Sequence, residues 1–307
     1  MVDLSVTIGA LTLKNPVMPA SGCFSHEFGK VFDLGRLGAL VTKSVSPKLR
    51  KGNAIPRVSE VAHGMLNSIG IPSKGIANYV EEVAPLFRGY AAPLVASISA
   101  DTVEEFGAAA AAISVPGVAA IEANISCPNL EAHGHAFAMR SDSTRAAVAE
   151  IKKQTTLPVW AKLTPNTGDI KPIAKAAEEA GADAIVVANT ILGMSINVNN
   201  FRPTLGNVMG GLSGAAIKPI ALRLVFQCAE VVKIPIIGCG GISSGDDVVE
   251  FMLAGATAVQ VGTASFIQAD AMVRIIEELQ AFCAVRGIER VSELTGKVDV
   301  EHEPIEW

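Results

Sequence analysis

Eight short, almost unbroken apolar runs recur along the chain, at residues 16–20, 39–45, 93–98, 119–125, 158–163, 184–188, 235–238 and 258–261. A strand with one wet face alternates apolar and polar residues, whereas a strand covered on both faces does not. These runs therefore read as buried parallel strands. Parallel strands need long crossovers, usually helices. Amphipathic helical patterns stand between the runs, at 76–87, 144–153, 170–180, 215–232, 246–253 and 271–284. Asp142-Ser143 and Ser244 occupy expected N-cap positions. Eight alternating units predict an α/β fold of the (β/α)8 TIM-barrel type. A doubly wound sheet is the alternative. Residues 6–16 read as a β-hairpin closing the bottom of the barrel. No composition break divides residues 1–307, so a single domain is expected.

Composition removes several classes. The net charge is −5, with no basic block, so nucleic acid is not an expected partner. The uncharged, alanine-rich run 106–121 is broken by Pro116 and Gly117 and falls short of the roughly 20 apolar residues that span a bilayer. The N-terminus carries no signal-peptide pattern. The five cysteines, Cys23, Cys127, Cys228, Cys239 and Cys283, are odd in number and scattered. They predict neither a disulfide framework nor a metal or iron–sulfur site, and a reducing cytoplasm is the expected setting.

In a barrel of this kind the chemistry gathers just past the C-terminal strand ends. Polar residues collect there in this chain: Ser21, Lys43-Ser44, Ser97 and Ser99, Asn124 and Cys127, Lys162 and Thr164, Asn189-Thr190, Gly240-Gly241, and Gly262-Thr263. Any one of them reads as a turn residue; their shared rim is the informative fact. Pro128 ends the fourth strand and leaves Cys127 at the loop mouth. Asn124 and Asn129 flank it, and their amides suit a planar ligand bearing C=O and N–H groups. A lone cysteine is as often a small buried hydrophobe. The glycines after strands seven and eight lie where this fold binds phosphate. They are not a dinucleotide fingerprint, because Ser243 stands in place of the third glycine. Lys43 and Lys162, inside apolar strands, must place their charges somewhere. The options are a Schiff-base nucleophile, a cation beside an electron-rich cofactor ring, or a structural salt bridge.

The string Asn124-Ile-Ser-Cys-Pro-Asn129 resembles the signature of class 1 dihydroorotate dehydrogenases, FMN enzymes built on a (β/α)8 barrel. The likeness continues through Thr42-Lys43-Ser44, Gly52-Asn53, Gly64-Met-Leu-Asn67-Ser-Ile-Gly70-Ile71, Trp160-Ala-Lys162-Leu-Thr, Ala188-Asn189-Thr190, Gly210-Gly-Leu-Ser-Gly214, Gly240-Gly241 and Gly262-Thr263. The Gly-Met-Leu-Asn and Gly-Gly-Leu-Ser-Gly stretches are most similar to subclass 1B.

The resemblance implies oxidation of (S)-dihydroorotate to orotate in UMP biosynthesis, with Cys127 as the base that takes the C5 proton. It implies substrate contacts from Lys43, Asn67, Ser68, Ile69, Gly70, Ile71, Asn124, Asn129, Asn189 and Thr190. It implies FMN contacts from Ala20, Ser21, Lys43, Ser44, Asn124, Lys162, Ala188 and Gly214, with the phosphate at Gly240, Gly241, Gly262 and Thr263. Residues 130–142, with His133 and His135, would form a loop over the substrate. A homodimer joining an FAD- and [2Fe–2S]-bearing subunit in a heterotetramer, passing electrons to NAD, is the implied assembly. The alternatives are a subclass 1A homodimer using fumarate and, more remotely, a Schiff-base aldolase or phosphate-binding isomerase barrel. Two positions depart from the family pattern. Ser97 replaces an asparagine toward FMN, and Ser73 replaces one near the substrate.

Overall fold

The computed structural model describes residues 2–126 and 136–300. Eight parallel strands form the central sheet: β1 (Val17–Pro19), β2 (Leu40–Val41), β3 (Leu94–Ile98), β4 (Val118–Asn124), β5 (Val159–Lys162), β6 (Ala184–Val187), β7 (Ile236–Cys239) and β8 (Ala258–Val261). Their order around the sheet is β1-β8-β7-β6-β5-β4-β3-β2, so each neighbours its successor. The first and last members, β1 and β2, meet where Gly38 N–H donates to Val17 O at 2.8 Å, bringing the ring to a nearly closed (β/α)8 barrel. Gly38 is required there, since a Cβ would run into the Asn15 carbonyl.

The β2 ladder is shorter than its apolar run. It lapses at Lys43-Ser44 and resumes at the bridge between Val45 and Ile98. Six helices pack outside: α1 (Val103–Ile113), α2 (Ser141–Gln154), α3 (Lys171–Glu179), α4 (Lys218–Ala229), α5 (Gly245–Leu253) and α6 (Ala271–Arg286). The alanine-rich run 106–121, expected only to be too short for a membrane, is divided between α1 and the start of β4. The helix buries Phe106, Ala109, Ala110 and Ile113, a helical spacing, while Thr102 caps its start. Among the described residues no helix is long and apolar enough to cross a membrane.

Ser244 caps α5 in a reciprocal box with Asp247, as expected. Asp142-Ser143 does not cap α2. That helix starts at Ser141, and the Asp142 carboxylate instead accepts from the Arg140 guanidinium at 3.0 and 2.7 Å. The hairpin Val6–Ile8 with Leu11–Leu13 buries Val6, Ile8 and Leu13. Its Gly9 turn abuts Asp183, the residue before β6, and so lies at the N-terminal end of the barrel.

One element was not expected. A four-stranded antiparallel sheet joins Ile191–Met194, Met209–Ser213, Gly64–Asn67 and Val58–Val61. It links the connection after β6 to the connection after β2. Its strands are short, half exposed and rich in glycine, so no two-residue alternation marks them.

Candidate active site

A cavity of about 820 Å³ opens at the C-terminal ends of the strands, within the range that holds small ligands and cofactors. Every described residue to which the resemblance assigns a substrate or flavin contact lines it, whereas Ser97, Ser99 and Thr164 of the expected rim do not. From the barrel come Ala20, Ser21, Lys43, Ser44, Asn124, Lys162, Ala188, Asn189 and Thr190. The mouth sheet and its approach contribute Asn67, Ser68, Ile69, Gly70, Ile71 and Gly214, and the last two strand tips contribute Gly240, Gly241, Gly262 and Thr263. Cys127 and Asn129 lie outside the described residues, as does the 130–135 part of the expected substrate loop. The remainder of that loop is anchored: Phe137 is buried and stands edge-on to Phe106 at 5.5 Å.

At one end of the cavity the amides of Gly240, Gly241, Gly262 and Thr263 donate to no acceptor among the described residues. Gly241 has φ +77°, and a Cβ on it would meet Lys218 Cβ at 2.7 Å, so only glycine leaves this backbone open. Thr263 Oγ1 donates to Ser213 Oγ at 2.8 Å, and this ties the end of β8 to the mouth sheet. Free amides at strand tips form an anion cradle.

Deeper, the barrel interior holds charge. Lys162 Nζ donates to Gln260 Oε1 at 2.8 Å and to Ser21 Oγ at 3.4 Å, and stands 3.9 Å from Glu122 Oε1. Burial is the largest single effect and disfavours its charge, but the Glu122 carboxylate together with the nearby Cys239 and Cys23 sulfurs overbalances it and lifts the pKa above the ordinary lysine value. Lys162 is therefore a permanent cation in the cavity floor. Glu122 is 0% exposed, and its second oxygen accepts from Gln260 Nε2 at 2.5 Å. Glu122 and Gln260 were not among the expected site residues. Their signal was present: each interrupts an apolar strand, as Lys162 does.

On the neighbouring strand, where Asn124 is the register partner of Lys162, Asn124 Nδ2 donates to Ser44 Oγ at 3.0 Å, and Asn189 Nδ2 donates to Ser126 Oγ at 2.8 Å. Asn67 Nδ2 reaches Gly211 O at 3.2 Å. The Ser68 hydroxyl is buried at the cavity without a partner among the described residues. The two departures have structural roles. Ser97 is fully buried and bonds Ser44 and Glu122. The Ser73 hydroxyl accepts from the Ser46 and Gly75 amides, and Ser73 does not line this cavity.

The sequence model of the dihydroorotate dehydrogenase family matches residues 3–283. The chain belongs to the dihydroorotate dehydrogenase family. Relatives in that family include the dihydroorotate dehydrogenase B (NAD(+)) catalytic subunit of Thermoanaerobacter sp. (strain X514), 45% identical over 98% of this chain and 100% of the relative. The protein of the same name from Geobacter sulfurreducens is 46% identical over 97% of this chain and 99% of its own length.

Proposed function

We propose that this chain oxidises (S)-dihydroorotate to orotate in pyrimidine biosynthesis, as the catalytic subunit of an assembly that delivers electrons to NAD. The observation that carries it is the convergence of the described motif residues of this family on one cavity with a buried cation and a free-amide cradle. FMN fits that donor set. Gly240, Gly241, Gly262 and Thr263 would hold its phosphate, and Ala20, Ser21, Lys43, Ser44, Asn124, Lys162, Ala188 and Gly214 would line its ring and ribityl chain. Bound there, FMN supplies an acceptor for the hydride leaving C6 of the substrate.

The chain's own residues do the rest. Cys127 takes the C5 proton. Lys43, Asn67, Ser68, Ile69, Gly70, Ile71, Asn124, Asn129, Asn189 and Thr190 hold the pyrimidine and its carboxylate. Their donors and acceptors match the alternating C=O and N–H edge of the ring. The Lys162 cation offsets negative charge that gathers on an electron-rich ring beside it.

One shared hydrophobic core spans the strands and helices, which supports a single domain over residues 1–307. The relatives' designation as a catalytic subunit supports a second protein in the assembly; in this reading that protein carries FAD and [2Fe–2S], and two copies of this chain pair within the heterotetramer. The four described cysteines are free, which suits a cytoplasmic setting.

The deciding experiment is an anaerobic spectrum of the purified chain before and after adding dihydroorotate. A flavin band that bleaches is expected; a colourless protein would overturn the assignment. Cys127→Ser should retain the band and lose turnover by roughly 10²- to 10⁴-fold.

A further inference from the structure

We infer that Glu122, which does not itself line the cavity, is a positioning residue whose carboxylate is the common acceptor of two hydrogen-bond chains, one along the Asn124–Asn189 wall and one through the Lys162 floor. The inference rests on the function proposed above and deepens it.

A buried carboxylate only accepts. Ser97 Oγ, 3.0 Å from Glu122 Oε1, must therefore donate to it. A hydroxyl has one proton, so toward Ser44, 2.8 Å away, Ser97 can only accept. Ser44 has then spent its own proton on Ser97 and must accept from Asn124, whose Nδ2 is 3.0 Å away. That turns Asn124 Oδ1 toward Ser126, which donates to it at 2.8 Å. Ser126 in turn accepts from Asn189 Nδ2 at 2.8 Å. The far end agrees independently: Asn189 Oδ1 is taken by the Thr190 amide at 2.8 Å, so Asn189 can present only its NH₂ to Ser126.

The floor obeys the same logic. Lys162 only donates, so Gln260 turns Oε1 to it at 2.8 Å and Nε2 to Glu122 at 2.5 Å. Two donor chains, one from the substrate-facing amides and one from the floor cation, end on the same carboxylate. Each chain starts from a donor at its outer end, the Thr190 amide and the Lys162 ammonium, so only an acceptor at position 122 lets every bond keep its direction.

A neutral isostere exposes the dependence. In Glu122→Gln the new NH₂ must face either Ser97 or Gln260. The first choice reverses the wall as far as Asn189, and the second turns Gln260 Nε2 onto Lys162. Ser97→Ala cuts the wall alone and leaves Lys162–Gln260–Glu122 intact.

The experiment uses flavin-loaded protein, with orotate as the probe. Orotate dissociation constants are measured by calorimetry and by perturbation of the flavin spectrum, and the ligand-free flavin potential is measured alongside. For Ser97→Ala the expected result is orotate binding weakened by about tenfold with an unchanged potential. For Glu122→Gln it is weakened orotate binding together with a more positive potential, because a negative charge has left the floor. Ser97→Thr, which restores the hydroxyl, should recover affinity. If Ser97→Ala does not fold, Glu122→Gln carries the test through the potential. Variants that bind orotate as the unaltered chain does, at the same potential, overturn the role given to Glu122. An unaltered chain that takes up neither flavin nor orotate overturns the proposed function itself.

Discussion

Lys162 and Glu122 show how one residue pair can be legible by half in a sequence. A lysine in an apolar strand demands a counter-charge. The strand β4 supplies it, 40 positions earlier by number, since 162 − 122 = 40. Because the lysine is buried, its removal leaves an uncompensated carboxylate. Lys162→Ala should therefore cost about 3–5 kcal/mol of stability, read from the urea midpoint, as well as flavin retention. A variant with unchanged stability and flavin content would contradict the pairing. Titration at the other buried groups is also visible in stability. Burial pushes the Cys228 thiol from its ordinary 9.0 up to about 12. The Tyr79 phenol rises likewise from 10.0 to about 12, burial outweighing its Thr42 hydrogen bond. Below pH 9 these groups are protonated in both states, and the contribution is intact. Between 9 and 12 for Cys228, and between 10 and 12 for Tyr79, the unfolded chain releases protons that the fold retains, so stability falls as pH rises, by about 1.4 kcal/mol per unit per group. Unfolding midpoints should drop across this alkaline range, and Cys228→Ala should flatten the slope.

At the level of elements, the barrel strands declared themselves because burial on both faces leaves a run of apolar residues with no alternation. The mouth sheet did not, because its strands take their identity from each other. Asn67 pairs with Gly211, 144 residues away, and the glycines there exist for close approach. A Cβ on Gly211 would collide with the Thr190 side chain. Gly211→Ala should therefore displace Thr190 and raise the KM for dihydroorotate several-fold with a smaller change in kcat, a split that steady-state kinetics resolves. An unchanged KM would mean that Thr190 does not hold substrate. The N-caps divide in the same way. Ser244 could be read directly because its partner Asp247 is three residues on. Asp142 was misplaced because the Arg140 guanidinium, flexible and local, took its carboxylate instead.

For the whole molecule, the described residues supply a cavity and a charged floor but no His, Cys, Asp and Glu cluster able to hold a metal. In the proposed assembly the iron–sulfur chemistry belongs to a second protein. The purified chain should reduce an artificial dye with dihydroorotate and fail to reduce NAD until a second subunit is added. Direct reduction of NAD by this chain alone would remove the need for that partner, and turnover with fumarate would favour the homodimeric alternative.

By itself the sequence determined the eight-fold alternation, the rim on which the polar residues gather, and the family. Each is a local pattern: apolar runs, helical spacing, short motifs at strand ends. Only the tertiary structure decided that Ser97 turns inward to Glu122, that Ser73 serves a turn, and that a glycine-rich sheet roofs one side of the mouth. Those outcomes depend on which donor finds which acceptor across the barrel, and partners so far apart in the chain leave no periodic trace along it.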